Sequence, residues 1–268
     1  MDKVILITGV SSGIGKACAE YLAGKNHIVY GASRQQPAGS EKYRFLPTDV
    51  RDAESVRKTV HTIIEKEGHI DILINNAGIG VGGAIEDFSE EEMIREMSVN
   101  FYGTVRMIRA VLPSMREKRS GLIINVSSIG GLMGLPFQGF YSASKFGIEG
   151  MSESLRLELK PFGIRVVLIN PGDFHTGFTD NRTVVEADKG GTPYQEQFRA
   201  TLGKIQKDET GGNDPSVIAK KIEQIIRTPN PAFHYLIGRF DQKLSVALKK
   251  ALPEKWFFRI LADYYKIK

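Results

Sequence analysis

A tyrosine and a lysine four residues apart are well placed in this chain to move a proton. They begin and end the segment Tyr141-Ser142-Ala143-Ser144-Lys145. If this segment opens a helix, the two side chains lie at i and i+4 on one face. A tyrosine has a reference pKa of about 10, so it is a poor acid or base at neutral pH unless its phenolate is stabilised. The Lys145 ammonium one turn away supplies that stabilisation and indicates proton transfer at a substrate oxygen.

Further polar residues could assist this transfer. Ser127 and Ser128 directly follow an apolar run, and a hydroxyl there can hold and polarise a substrate oxygen. Asn100 lies within a predicted helix, where it can anchor a water that leads from Lys145 to solvent. The position of the two serines alone leaves open which of them takes the role.

A glycine-rich turn near the start of the chain predicts a phosphate site. The run Thr8-Gly9-Val10-Ser11-Ser12-Gly13-Ile14-Gly15 follows a predicted strand and precedes a predicted helix. Glycines permit a tight turn and a close approach to a ligand, and the free N–H groups at a helix start favour an anionic pyrophosphate. A plain turn between strand and helix is the alternative.

The residue type after the second predicted strand bears on which dinucleotide binds. An acidic residue there would hold the ribose 2′-hydroxyl of NAD, whereas an arginine accommodates the 2′-phosphate of NADP. This chain has Ser33-Arg34 at that point and no acidic residue. Ser11, Ser12 and Ser33 could add hydrogen bonds, so the sequence favours NADP(H); a solvated loop arginine is the alternative interpretation.

Short apolar runs alternate with helical patterns along most of the chain, which predicts one parallel sheet covered by helices. The predicted strands are Val4–Thr8, Ile28–Ala32, Tyr43–Leu46, Ile72–Asn75, Leu122–Val126, Val166–Asn170 and Tyr235–Ile237. The predicted helices are Ile14–Gly24, Ala53–Glu67, Glu90–Arg116, Ala143–Leu159 and Pro215–Arg227. The fold class is therefore α/β: a single doubly wound, Rossmann-type domain with a seven-stranded parallel sheet and helices on both faces.

Two regions depart from this alternation. Residues 173–213 are polar and rich in glycine, and a long insertion of this kind typically forms a functional lid. We expect a helical substrate flap there, with Gly177, Gly190 and Gly191 as hinges, inside a dinucleotide-binding oxidoreductase domain of residues 1–240. Residues 241–268 form an amphipathic helical extension of that domain. This tail has seven basic and three acidic residues. It could lie on a membrane surface, close the pocket or meet another subunit, and we expect it to pack within the protein.

Composition and charge exclude several classes of function. The chain has 268 residues, a formal net charge of +5 and one cysteine, Cys18, so no intramolecular disulfide is possible. Outside the tail the charge is nearly balanced, which argues against a nucleic-acid-binding face. The five histidines are scattered without metal-ligand spacing, so we expect no metal site. No signal peptide opens the chain and no apolar run could span a bilayer, so a soluble, cytoplasmic protein is expected.

Taken together, these motifs resemble the short-chain dehydrogenase/reductase family, in particular its NADP(H)-preferring, steroid- and retinol-dehydrogenase-like branch. The matching segments are Thr8-Gly9-x-x-x-Gly13-x-Gly15, Asp49-Val50, Asn75-Asn76-Ala77-Gly78, Asn100, Ser128, Tyr141-x-x-x-Lys145 and Pro171-Gly172, ending at Thr176. They occur in the family's order and span Met1 to about Gly238.

The resemblance implies a role for each of four catalytic residues. Tyr141 is the acid/base, and Ser128, whose spacing of thirteen residues to Tyr141 resembles the family pattern, orients the carbonyl or alcohol. Lys145 lowers the tyrosine pKa and hydrogen-bonds the nicotinamide ribose, while Asn100 completes the proton relay. The resemblance also implies that a nicotinamide cofactor, NADP(H), carries the hydride.

The resemblance also assigns the cofactor-binding residues. Asp49 and Val50 would border the adenine, and Asn76-Ala77-Gly78 the adenosine side. Pro171, Gly172 and Thr176 would hold the nicotinamide amide and the diphosphate. The full predicted set is Gly9, Ser11, Ser12, Gly13, Ile14, Gly15, Arg34, Asp49, Val50, Asn76, Ala77, Gly78, Tyr141, Lys145, Pro171, Gly172 and Thr176.

Apolar residues near the predicted chemical centre indicate a hydrophobic ketone, aldehyde or secondary alcohol as substrate. The candidates for the pocket wall are Ile129, Leu132, Met133, Leu135, Phe137, Phe174 and Phe178. A 3-oxoacyl reductase of lipid synthesis is the alternative enzyme, although the five basic and six acidic residues of segment 174–213 do not favour an acidic carrier. A non-catalytic NADP(H)-binding sensor is the alternative from another class. We expect a homo-oligomer, a dimer or a tetramer.

Overall fold

A parallel β-sheet of seven strands forms the centre of the computed structural model, which describes residues 2–37, 40–178, 181–185 and 191–267. The strands run in the order β3-β2-β1-β4-β6-β7-β9 and every neighbouring pair is parallel. They are β1 Val4–Thr8, β2 Ile28–Ser33, β3 Arg44–Pro47, β4 Ile72–Asn75, β6 Gly121–Val126, β7 Ile164–Pro171 and β9 His234–Ile237. Two further strands, β5 Val81–Gly82 and β8 Thr183–Val184, pair as a small separate sheet. The predicted fold class is confirmed.

Nine α-helices are found in the described residues. They are α1 Gly13–Ala23, α2 Ala53–Glu67, α3 Glu90–Met97, α4 Gly103–Lys118, α5 Gly139–Leu159, α6 Gln195–Thr210, α7 Ser216–Arg227, α8 Phe240–Ala251 and α9 Glu254–Tyr264. The expected helical flap thus contains α6, and the tail consists of α8 and α9. Gly190, one of the expected hinges, falls outside the described residues.

Alternate side chains of the central strands build the two halves of the core. In β1, Ile5 and Ile7 pack with α1 and α7 on one face of the sheet. Val4 and Leu6 pack with α2, α4 and α5 on the other face. Because both faces are covered, the strands are continuously apolar rather than alternating.

The predicted helix Glu90–Arg116 is instead two helices with a π-helical segment, Ser98–Tyr102, between them. Such wide turns occur mostly at functional sites. A Cβ atom on Gly103 would lie 2.8 Å from Val50 Cγ2, so only glycine allows the chain to pass so close to that residue. The segment carries Asn100, which is fully buried.

The sheet order reverses at β1, where the chain crosses from β3 on one side to β4 on the other. In doubly wound sheets, ligands bind in the crevice at the carboxyl ends of the strands beside such a reversal. β1, β4, β6 and β7 all end at this edge, and the predicted site residues follow them.

Candidate active site

The turn between β1 and α1 brings several backbone groups close together. Gly9 and Gly13 have φ values of +74° and +57°, which side chains other than hydrogen rarely tolerate. A Cβ atom on Gly9 would lie 2.7 Å from Ala77 Cα, and one on Gly15 would lie 2.2 Å from the Gly9 carbonyl oxygen. These glycines form a close-packed cradle whose N–H groups at the start of α1 fit the pyrophosphate of a dinucleotide.

Asn76 and Thr8 hold this cradle in place. The Thr8 hydroxyl accepts hydrogen bonds from the backbone N–H groups of Asn76 and Ala77, each at 3.0 Å. The Asn76 amide donates to the carbonyl oxygens of Thr8 and Gly9 at 3.0 and 3.2 Å. The Asn76 side chain therefore positions the turn, in addition to facing the crevice. Thr8 appeared in the sequence motif but was not among the predicted site residues.

Thr176 closes the same end of the crevice from the far side of the sheet. A Cβ atom on Gly13 would lie 3.0 Å from Thr176 Cβ, so Thr176, in the loop after β7, packs directly on the glycine turn. Pro171 ends β7, and Gly172 donates to the Ile237 carbonyl at 2.8 Å. The two distant segments of the predicted cofactor site thus meet in space.

The other end of the crevice, beside β2, is cationic. Arg34 is exposed and makes no hydrogen bond or ion pair with a described residue, although its charge helps to lower the pKa of Asp49. Arg51 binds both carboxylate oxygens of Asp49, with the shortest distance 2.6 Å. This bond is the main reason that the pKa of Asp49 lies below its ordinary value. Arg51 was not predicted, although a basic residue two positions after Asp49 was visible in the sequence.

Tyr141, Ser128 and Lys145 come together at the ends of β6 and α5. The Ser128 hydroxyl lies close enough to that of Tyr141 to lower the pKa of the tyrosine, and it accepts from the Gly130 N–H at 3.0 Å. Lys145 is buried, donates to the Val126 carbonyl at 3.0 Å and lies 5.7 Å from the centre of the Tyr141 ring. By contrast, the Ser127 hydroxyl is buried with no partner among the described residues.

The pKa values of this group differ from the expectation that Lys145 lowers the tyrosine pKa. Burial raises the pKa of Tyr141 to about 12, and the hydrogen bond from Ser128 is the largest opposing influence. Burial lowers the pKa of Lys145 to about 8, against the charges of Glu149 and Glu96. The tyrosine is therefore a protonated acid at neutral pH, and the lysine is close to its own titration.

Asn100 holds a neighbouring loop. Its amide accepts from the Ile79 N–H at 2.8 Å and donates to the Ile79 carbonyl at 3.0 Å and to the Ser144 hydroxyl at 3.1 Å. Gly78 lies beside both Asn100 and Lys145, because a Cβ atom placed on it would be 3.4 Å from Asn100 Oδ1 and 3.7 Å from Lys145 Nζ. No hydrogen bond joins the amide to the lysine in the described residues. Asn100 does not itself line the crevice.

A buried carboxylate near the lysine was not foreseen. Glu96 at the end of α3 is fully buried and accepts from the Val81 N–H at 3.1 Å through one oxygen. Its other oxygen has no partner among the described residues. Burial raises the pKa of Glu96 to about 7, although the charges of Lys145 and Arg182 favour the carboxylate.

One cavity of about 1180 Å³ connects the glycine turn, the cationic end and the Ser128–Tyr141–Lys145 group. Of the predicted site residues, all but Gly15 and Asn100 line it. Its size suits a dinucleotide together with a substrate. The sequence motifs, spread over most of the chain, therefore define a single site.

Apolar residues form the part of the cavity beyond Tyr141. Five of the seven predicted pocket residues line it, namely Ile129, Met133, Leu135, Phe174 and Phe178, the last with its ring 5.7 Å from that of Tyr141. Two predictions were wrong: Leu132 packs in a cluster with the tail, and Phe137 packs on Phe198, with 5.4 Å between the ring centres. Residue spacing along a loop does not show which way each side chain points, so the sequence could not reveal these two contacts.

The tail helices close this apolar chamber. Leu244 and Leu248 of α8 line the cavity, as do Phe257, Ile260 and Leu261 of α9. The tail is attached through Gln242, which donates to the Asp173 carboxylate at 2.5 Å and accepts from the Arg239 N–H at 3.1 Å. The inner faces of the tail pack within the protein, as expected.

Within the described part of the chain, no cluster of His, Cys, Asp or Glu has the arrangement of a metal site. Among the same residues, no helix has the length and apolar character that crossing a membrane requires.

Comparison with known proteins agrees with this geometry. The sequence model of the short chain dehydrogenase family matches residues 3–186. A 3-ketodihydrosphingosine reductase of Bacteroides thetaiotaomicron is 47% identical over 266 residues, covering 99% of both chains. Human 17-beta-hydroxysteroid dehydrogenase type 1 is 34% identical over 255 residues, covering 87% of this chain and 76% of the human one.

A solved structure supports the same relationship. A short-chain dehydrogenase/reductase from Burkholderia phymatum, in complex with NAD, superposes with a TM-score of 0.80 at 26% identity, covering 93% of each chain. The family match, the full-length relative and the shared fold confirm the resemblance that the motifs indicated. The chain belongs to the short-chain dehydrogenase/reductase family and is an oxidoreductase that uses a nicotinamide cofactor.

Proposed function

We propose that this protein reduces the ketone of a long-chain amphiphile with NADPH. The observation that carries the proposal is the continuous cavity, which passes from the glycine turn, past Ser128 and Tyr141, into an apolar chamber walled by the tail helices. The full-length similarity to a 3-ketodihydrosphingosine reductase supports the same class of substrate, a single-chain amphiphile with a ketone close to its polar head.

The preference for NADPH rests on the cationic end of the cavity. Arg34 lines the cavity after β2, and the position carries no competing carboxylate. Asp49 is the acidic residue whose pKa the charge of Arg34 helps to lower, and its carboxylate is hydrogen-bonded to Arg51. The Arg34 guanidinium is thus available for a 2′-phosphate, and bonds between a guanidinium and a phosphate are among the strong ones.

The bound nicotinamide dinucleotide supplies the hydride. Tyr141 supplies the proton to the ketone oxygen, and its pKa of about 12 keeps the hydroxyl protonated at neutral pH. Ser128, whose hydroxyl lowers the pKa of Tyr141, orients the same oxygen. Since a general acid is most effective when its pKa approaches the operating pH, the tyrosinate must be stabilised as the proton leaves.

Lys145 and Ser128 provide this stabilisation. The Ser128 hydroxyl donates to the developing phenolate, and the charge of Lys145, 5.7 Å from the ring centre, favours it. The Val126 carbonyl fixes the lysine in the crevice. The buried surroundings lower the effective dielectric, which strengthens both effects.

The apolar chamber binds the hydrocarbon chain. Leu248, Phe257 and Leu261 from the tail line this chamber together with Met133 and Leu135 from the loop after β6, and the five pack in one apolar cluster. Burying apolar chain there is favourable by about 25 cal/mol per Å², so we expect affinity to rise with chain length.

The test is the reduction of 3-ketodihydrosphingosine in detergent micelles, followed by NADPH oxidation and by mass spectrometry of the alcohol. We expect turnover in the wild type and none in Tyr141→Phe, which retains cofactor binding. A ketone series of decreasing chain length should show kcat/KM falling with each methylene pair.

Two results would contradict the proposal. Faster reduction of 3-oxoacyl thioesters than of the amphiphilic ketone would assign the protein to acyl-chain reduction. Binding of NADPH without turnover of any ketone, aldehyde or alcohol would instead indicate a sensor.

A further inference from the structure

The outer faces of the two tail helices carry an apolar stripe that nothing in the described chain covers. On α8, Phe240 and Leu244 are 80% and 44% exposed, and Ala247 and Ala251 are exposed as well. Their positions, i, i+4, i+7 and i+11, place them on one helix face. The packing of the tail against the cavity therefore explains only its inner face.

The second helix carries a similar apolar face. On α9, Trp256 and Ile260 are 66% and 47% exposed and lie four residues apart. We call the residues Phe240, Leu244, Ala247, Ala251, Trp256 and Ile260 the tail stripe. Large exposed apolar patches on soluble proteins mark sites of interaction.

The tail stripe borders the entrance to the substrate chamber. Leu244 and Ile260 belong to the stripe because they are exposed, and the same two residues line the cavity. An apolar path therefore runs from the protein surface at the tail to the chamber beside Tyr141. A hydrocarbon chain could leave or enter along this path without crossing water.

Cations flank the stripe. Lys243, Lys250, Lys255 and Arg259 are exposed, and no ion pair joins them to another residue in the described parts of the chain. Basic residues beside an apolar stripe complement an anionic lipid surface, whereas a second copy of this face would bring like charges together. Charge thus favours a bilayer over self-association.

We propose that the tail stripe docks the protein on anionic membranes, so that the amphiphilic ketone passes from the bilayer into the chamber. The substrate part of this inference rests on the proposed function; the docking itself does not. Apolar side chains would insert at the level of the headgroups, with the lysines and Arg259 at the phosphates.

The position of tryptophan in the chain makes docking directly observable. Trp256 is the sole tryptophan and lies on the stripe. Adding phosphatidylcholine–phosphatidylglycerol vesicles to the full-length protein should shift its fluorescence to the blue, and lipids with brominated chains should quench it. Phosphatidylcholine alone should give a weaker effect, and added salt should weaken the binding to anionic vesicles. No shift with anionic vesicles would overturn the proposal.

Phe240→Ser tests the stripe while keeping the fluorescent reporter. Phe240 does not line the cavity and is mostly exposed, so the variant should fold and reduce a short, water-soluble ketone normally. Its vesicle affinity should fall at least about tenfold, because a large side chain no longer leaves water on docking. The matched control is Val217→Ser, which removes a 43% exposed apolar residue from α7 and should leave affinity unchanged.

Kinetics separate the docking from the proposed function. With 3-ketodihydrosphingosine in vesicles, Phe240→Ser should lower kcat/KM by the same factor as vesicle affinity, with little effect in micelles.

Vesicle binding without any ketone reduction would refute the proposed function alone. Reduction in micelles without vesicle binding would refute the docking alone. The protein could instead fail to bind vesicles and self-associate in a way that Phe240→Ser abolishes. This result would identify a second copy of the chain as the occupant of the stripe and overturn the proposal.

Discussion

Glu96→Gln removes a buried charge whose effect on stability can be worked out from the structure. Glu96 is fully buried, its Oε1 accepts from the Val81 N–H, and its Oε2 has no partner among the described residues. Glutamine retains an oxygen for Val81 and carries no charge. The variant should therefore keep the contact between α3 and β5 while losing the titration.

The sign and size follow from linkage. Burial raises the pKa of Glu96 from its ordinary value of 4.5 to about 7. Between these values the unfolded chain has released the proton that the folded chain still holds, so the free energy of unfolding falls as pH rises. Each pH unit costs about 1.4 kcal/mol, which gives about 3 kcal/mol in total, most of it between pH 5 and pH 8.

The assay is urea unfolding at intervals from pH 5 to pH 8. The wild type should lose about 2 to 3 kcal/mol more than Glu96→Gln across this range. The control is Glu91→Gln, an exposed position on the same helix, which should follow the wild type. Lys145, with a folded pKa of about 8 and an ordinary value of 10.5, titrates mainly above this window in the wild type. Loss of the Glu96 charge lowers the pKa of Lys145 in the variant, which adds to the difference between the two curves near pH 8. Parallel curves for the wild type and Glu96→Gln would refute the reasoning.

The same variant has a catalytic readout. The charge of Glu96 raises the pKa of Lys145, after that of Glu149. Removing it should move the alkaline limb of kcat/KM for ketone reduction to lower pH, since the lysine must be charged to stabilise the tyrosinate. A limb that does not move would show that another group controls it.

The remaining predictions concern the cofactor and the catalytic serine. Arg34→Asp should weaken NADPH binding about 10- to 100-fold, the value of one charged hydrogen bond, with little effect on NADH binding. Arg57→Asp, outside the cavity, is the control. An unchanged preference for NADPH over NADH would remove Arg34 from the site. Ser128→Ala should lower kcat/KM for reduction about 100-fold or more, whereas Ser127→Ala, whose hydroxyl has no partner in the described chain, should retain most activity. The opposite order would make Ser127 the orienting residue.

The fold was predictable because its strands are buried on both faces. Residues 4–8 and 72–75 are strands with the predicted bounds, since a continuous apolar run can be satisfied only between two layers of helices. The break at Ser98–Tyr102 was not predictable, because a π-helical segment preserves the apolar period on either side. The segment ends beside Gly103, which approaches Val50 closely, and such a contact between residues distant in sequence cannot be read from local patterning.

The site was predictable where the backbone itself imposes a residue type. Gly9 and Gly13 need positive φ values, and Tyr141 and Lys145 need one helix face, so spacing alone revealed them. Glu96 and Arg182 were missed because charged residues in a polar stretch ordinarily face solvent. Only the tertiary fold buries them, and only there do their charges act on Lys145 and Tyr141.

The tail shows why one amphipathic pattern can have two partners. Leu248 and Phe257 face the chamber, and helical spacing alone predicts one buried face of this kind. Phe240 and Trp256 extend the apolar character to a second face, which a helix serving only a core would not need. An apolar wall on one side and an apolar stripe on the other, joined through Ile260, would give the proposed amphiphilic substrate an apolar route to Tyr141. The proposed docking predicts that the tail matters little for a small soluble ketone and greatly for one held in a bilayer.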